Sequence, residues 1–96
     1  MHILAAVEFE WDEEKAAANL RKHGVDFADA ALVFEDDLAL TMEEGHSTSE
    51  ARFVAVGCDP GGQSLVVVYT WHGERIRLIS ARTATGAERR HYEKGP

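Results

Sequence analysis

Leu65-Val66-Val67-Val68-Tyr69-Thr70-Trp71 and Arg75-Ile76-Arg77-Leu78-Ile79-Ser80-Ala81, parted by a break at His72-Gly73, decide the fold. Both runs are rich in β-branched and large apolar residues, which suit a pleated, half-buried surface, and the glycine break reads as a hairpin turn. Arg52 to Cys58 has the same character and is separated from Leu65 by Asp59-Pro60-Gly61-Gly62, a second turn. Leu38 to Met42 is a weaker leading strand. The expectation is a three- to four-stranded antiparallel sheet.

Upstream of the strands the pattern is helical. Asp12 stands as N-cap before Glu13 and Glu14, whose charges suit the positive end of a helix, and His23-Gly24 supplies a cation and a left-handed stop. Asp26 then opens a second helix, in which Phe27, Ala30, Ala31 and Phe34 recur at spacings of three and four. Glu35-Asp36-Asp37 puts acids at the wrong end of that helix and ends it. Downstream, Thr85 and Glu88 form a Thr-x-x-Glu capping box at the head of a closing helix that runs to Lys94. The sum is an α+β fold: two N-terminal helices, the antiparallel sheet and a C-terminal helix, in a single domain over residues 1–96. With the two N-terminal helices on one sheet face, the other is expected to be free as a working surface.

The chain has 96 residues, 45% hydrophobic and 28% charged, outside the regime of disordered chains. Its apolar start, Ile3 to Val7, is cut short by Glu8, too soon for a signal peptide or membrane span. Cys58 is the only cysteine, so neither an internal disulfide nor a thiolate zinc cage can form. A cytoplasmic protein with no membrane association is expected.

The net charge of −7 argues against a nucleic-acid binder, yet it is unevenly spread. Residues 1–50 carry thirteen acids against Lys15, Arg21 and Lys22, whereas residues 51–96 carry four acids against seven cations, six of them arginine. Arginine is the planar fork that grips phosphate, so an anionic partner belongs on the C-terminal half. The competing reading is that these arginines pair with the protein's own acids.

Strand alternation places Arg75, Arg77 and Ile79 on one face of the last strand, and Ile76, Leu78 and Ser80 toward the core. Arg75 and Arg77 then project together, roughly 7 Å apart by the rise of two strand residues. Whether Arg52 joins them depends on a register that alternation leaves open. Arg82 follows the strand, and Arg89 and Arg90 lie on the closing helix beside His91 and Tyr92.

Were the anionic partner an RNA to be cleaved without a metal, the reaction would require a base for the 2′-hydroxyl, charge stabilisation at phosphorus and a proton for the leaving oxygen. Arginines can meet the second need; Glu74, Glu88, His46, His91 and Tyr92 are the candidates for the others. Arg89 and Glu93, spaced i,i+4, read more simply as a surface ion pair, and Tyr92 either packs on the sheet or stacks on a base. The five histidines never fall at a metal-ligand spacing, so no metal or other cofactor is expected. His23 reads as a helix-end cation and His72 as a turn residue. No Gly-x-Ser-x-Gly elbow supports serine hydrolysis.

Several stretches taken in order carry a family resemblance. They are Phe9 to Lys15, Asn19-Leu20-Arg21-Lys22-His23-Gly24-Val25-Asp26-Phe27, Ala30 to Phe34 with Asp36 and Asp37, Glu50 to Phe53 with Gly57, and Gly73 to Arg82 with Ala84-Thr85 and Glu88-Arg89. Nearly the whole chain after Val7 resembles the BrnT toxins. The resemblance implies a RelE-like fold, ribonuclease activity, and pairing with a BrnA-like ribbon-helix-helix antitoxin through which the complex reaches operator DNA.

On that basis a metal-independent endoribonuclease is expected. Arg52, Arg77 and Arg82 would hold and stabilise the phosphate, Glu88 or Tyr92 would assist proton movement, and Arg75, Arg89, Arg90 and His46 would contact RNA. Thr83 and Gly86 depart from the pattern, standing where such sequences are often basic. Together with the acidic total they leave an alternative, a module that binds its antitoxin and serves in operator repression without turnover.

Overall fold

Asp12 accepts hydrogen bonds from the amides of Glu14 and Lys15, at 2.8 and 3.2 Å, and so starts helix α1 (Glu13–His23). Gly24 ends it at φ 72°, a left-handed conformation that costs a glycine nothing, and its amide bonds back to Leu20 at 2.8 Å. Asp26 caps α2 (Phe27–Ala31) in the same way through Ala28. A 3₁₀ turn, Leu32–Glu35, continues it and stops at Asp36. The computed structural model describes residues 7–44 and 51–94.

The remaining elements are β1 (Phe9–Glu10), β2 (Leu40–Glu44), β3 (Arg52–Cys58), β4 (Ser64–His72), β5 (Arg75–Thr83) and α3 (Gly86–Lys94). They form one sheet in the order β1-β5-β4-β3-β2. The four long strands make the expected antiparallel meander, but the sheet has five strands and is mixed, because β1 pairs parallel to β5 with Phe9 beside Ile76 and Glu10 beside Arg77. Two residues are too few to show alternation, and a parallel partner lies far along the chain. The same factors that hid this strand hid its acids.

One sheet face packs against α1 and α2. Phe27, Val33, Leu65 and Val67 are fully buried there, joined by Ile76, Leu78 and Ala81. Burying each large side chain contributes on the order of 1.5–3 kcal/mol. The opposite face, expected to be free, is partly covered. At one end α3 lies across it and sets Tyr92 on Val56 and Val66, so that among the described residues it is the other end, carrying Arg52, His72, Arg75 and Arg77, that reaches the surface.

Alternation in β5 fails at one point. Val68 faces Ser80 while Tyr69 faces Leu78, so Ile79 is an extra residue in the strand, a β-bulge. Ser80 therefore leaves the core face expected for it and Ala81 takes its place, fully buried. The bulge also brings Arg82 onto the face that carries Arg75 and Arg77, whereas strict alternation would have sent it toward the helices.

Candidate functional site

The open face is organised by strand register. Glu10 lies beside Arg77, and Arg77 opposite Thr70. Because Phe53 pairs with Tyr69, Arg52 follows next to Thr70, which gives a row of Glu10, Arg77, Thr70 and Arg52 across four strands. Thr70 Oγ1 donates to the Ala51 carbonyl at 2.6 Å and so ties down the chain entering β3 beside Arg52. His72 and Arg75 form the next row, joined by the turn in which Gly73 adopts φ 64°.

Each arginine of β5 meets a carboxylate. Arg77 Nε donates to Glu10 Oε2 at 2.7 Å, and Arg75 Nε donates to Glu8 Oε1 at 2.9 Å. His72 Nδ1 is 2.9 Å from Glu10 Oε2 and 2.9 Å from Arg77 Nη2. The Arg77 hydrogen bond, aided by His72, holds the Glu10 carboxyl below the usual carboxylate range against the opposing effect of desolvation. Beside this group a cleft of about 330 Å³ is lined by Glu10, Trp11, Asp12, Lys15, Arg77 and the Leu78–Ile79 stretch of β5.

Arg82 occupies a different position. Its guanidinium makes two parallel bonds of 2.8 Å to Glu88, whose Oε1 also accepts from the Thr85 amide while Thr85 Oγ1 accepts from Glu88 N. The expected capping box is present and the arginine is locked to it. Arg82 and the Thr85 amide lower the Glu88 carboxyl to about 2, which keeps it ionised and makes it a poor proton donor or acceptor at neutral pH. Tyr92 likewise turns away from the open face. Its hydroxyl donates to Asp36, which also accepts from Cys58 N at 2.9 Å and Leu38 N at 3.0 Å. That bond and burial raise the phenol above its ordinary value.

The structure therefore brings together Arg52, Arg75 and Arg77, and separately Arg82, Glu88 and Tyr92 around α3. Arg89 and Arg90 are exposed on α3; Arg89 lies 4.0 Å from Glu93, the loose surface pair expected from their spacing. His91 lines an apolar groove with Leu40, Met42, Val54 and Val56, and Glu74 is exposed in the hairpin turn. His46 lies outside the described residues. Among the described residues no three His, Cys, Asp or Glu side chains are placed to hold a metal, and no helix is long and apolar enough to cross a membrane.

Two residues at the open face, Glu10 and His72, were not among the sequence-derived candidates. The polar-apolar-polar run Glu8-Phe9-Glu10 is the one signal that marks a strand there.

A family model for the ribonuclease toxin BrnT of type II toxin-antitoxin systems matches residues 11–88. A crystal structure of the Brucella abortus ribonuclease toxin BrnT is similar at 28% identity and a TM-score of 0.65, covering 83% of this chain and 99% of that one. No curated protein matches the chain. The family match takes in α1, the long strands β3 to β5 and the capping box of α3, and the chain accordingly belongs to the BrnT family of ribonuclease toxins of type II toxin-antitoxin systems.

Proposed function

We propose that the protein cleaves RNA without a metal, on the open end of the sheet face, with Arg77 at the centre of the site. The observation that carries this reading is the grouping of Arg77, Arg52 and Arg75, at the surface around a buried Thr70, in an otherwise acidic protein. Arg52, Arg75 and Arg77 supply the positive charge that binds successive phosphates and stabilises the crowded phosphorane. Arg89 and Arg90 extend RNA contact along α3. Arg82, Glu88 and Tyr92 hold α3 in place beside this surface, a supporting part rather than a chemical one.

The partner is a BrnA-like ribbon-helix-helix antitoxin in the cytoplasm, and operator DNA is reached only through the complex. The deciding experiment is incubation of the partner-free protein with total RNA in excess EDTA, beside its Arg77→Ala and Arg82→Ala forms. Cleavage by the wild type that Arg77→Ala abolishes, and Arg82→Ala only weakens, supports this reading. Intact RNA in every lane defeats it.

A second reading, an antitoxin-binding module without turnover, draws on the pairing of Arg75, Arg77 and Arg82 with the protein's own carboxylates. The groove between α3 and Leu40, Met42 and Val54 would then seat an apolar antitoxin segment. Growth arrest on induction without antitoxin separates the two, since a pure module leaves growth unaffected.

A further inference from the structure

RNA cleavage at Arg77 needs a group that accepts the 2′-hydroxyl proton. Three of the sequence-derived candidates are poorly placed for it. Glu88 is held by Arg82 and its own cap, Tyr92 is committed to Asp36, and His91 lies in the apolar groove beside α3. We propose that His72 is the general base of this reaction and that Glu10 is its positioning residue, an inference that rests on the ribonuclease reading above.

The geometry is that of a base oriented by a carboxylate. His72 ends β4 on the open face, opposite Arg75, and its side chain is 59% exposed, so a substrate can reach it. Glu10 comes to it from β1, a strand 62 residues away, and grips Nδ1 at 2.9 Å. The charged groups facing the ring are Glu10 from β1 and Arg75 and Arg77 from β5.

Nδ1 stands equally close to an acceptor, Glu10 Oε2, and a donor, Arg77 Nη2, and a neutral imidazole nitrogen can satisfy only one of them. A phosphate on Arg77 draws the guanidinium Nη groups into stronger, charge-assisted bonds. Glu10 is then left to accept from Nδ1–H, which fixes the tautomer and places the lone pair on Nε2. The substrate thus converts His72 into its basic form.

In the step itself Nε2 takes the proton of the 2′-hydroxyl as the 2′-oxygen bonds to phosphorus. The bond from phosphorus to the 5′-oxygen breaks, and that oxygen takes a proton from water. The products are a 2′,3′-cyclic phosphate and a 5′-hydroxyl, and the imidazolium returns its proton to the hydroxide left by the water. Arg77 faces the phosphorane throughout.

The test uses a mixed-sequence single-stranded RNA pool carrying a fluorophore and quencher, with wild type, His72→Ala, His72→Gln, Glu10→Gln and Arg77→Ala proteins matched by circular dichroism. Both His72 variants should cleave roughly 100- to 10,000-fold more slowly, the usual worth of a positioned base, while binding the RNA pool as wild type does. Added imidazole should restore part of the rate to His72→Ala and none to Arg77→Ala, and Glu10→Gln should lower kcat by a smaller factor. Cleavage by His72→Ala within twofold of wild type overturns the proposal and leaves the ribonuclease reading standing. A loss that imidazole does not relieve also overturns it, by making the ring a binding contact. A wild type that cuts nothing overturns both.

Discussion

The side-chain amide of Asn19 pairs with both backbone groups of Ala81, 62 residues away. Its Oδ1 accepts from Ala81 N at 3.0 Å, and its Nδ2 donates to Ala81 O at 2.8 Å. Nδ2 also donates to Val25 O at 3.0 Å. β1 ends after pairing with Arg77, so the outer edge of β5 is without a neighbouring strand at Ala81, and Asn19 takes the place of one. A buried amide is used because it offers a donor and an acceptor side by side, matching a peptide group. The Asn-Leu and Ile-Ser-Ala-Arg segments, distant in sequence, are two halves of this contact.

Asn19→Ala should therefore destabilise the protein by roughly 2–4 kcal/mol, since it leaves buried backbone groups unpaired. Asn19→Asp should cost at least as much, because it keeps the acceptor and loses the donor to two carbonyls. Urea unfolding measures both. A loss below about 1 kcal/mol for the alanine form would mean that water serves the strand edge equally well.

Tyr92→Phe separates the structural part of the tyrosine from a chemical one. It removes a hydroxyl that donates to a carboxylate and should lower stability by about 1.5–3 kcal/mol, with Asp36 keeping its two backbone amides. RNA cleavage per folded molecule should stay within a few-fold of wild type. A cleavage defect far beyond the folding defect would return Tyr92 to the chemistry.

The Arg82–Glu88 pair gives a signed pH dependence. Glu88 titrates at about 2 in the folded chain against a usual 4.5, so its contribution is fully present above pH 4.5 and is lost as the pH falls from there toward 2. Glu88→Gln should be less stable than wild type at neutral pH, by about 1 kcal/mol for a partly exposed pair, and the gap should close through that acid window. A gap independent of pH would show that the capping bond to Thr85, not the charge, carries the effect.

Gly57→Ala should cost roughly 1–3 kcal/mol by overpacking. An added Cβ would lie 2.9 Å from Val33 Cγ1, 3.0 Å from Ala39 Cβ and 3.2 Å from Asp36 Oδ2. Thermal unfolding reads this directly, and an unchanged Tm would mean that the 3₁₀ turn yields freely.

Local chemistry was legible in the residues themselves. Asp12, Asp26 and Gly24 announce helix ends, Thr85 and Glu88 announce a capping box, and the three long strands carry their turn residues beside them. What escaped was nonlocal or a matter of a single residue. β1 is too short to show a period and pairs with a strand more than sixty residues away. The bulge at Ile79 reverses the alternation of everything after it with no compositional mark. Arg75 and Arg77 were identifiable as a pair on one face, but Arg52 joins them through register alone, and Glu10 and His72 through the β1 contact. Tyr92 looked chemical because its partner, Asp36, lies 56 residues back in a turn.

For RNA bound as proposed at Arg75 and Arg77, the acidic segment Glu8-Phe9-Glu10 beside them changes what binding releases. Glu8 and Glu10 act as counterions covalently tethered to the site. An incoming phosphate displaces them from the guanidinium groups, but they cannot diffuse away. Glu10 then keeps His72 as its partner, while Glu8, left unpaired next to RNA, would recapture some of the cations that the RNA sheds. Association then resembles ion exchange more than attraction to a basic surface, and log K should fall less steeply with log salt than the number of arginines implies. Neutralising Glu8, which lies outside the proposed base pair, should steepen that slope while tightening binding.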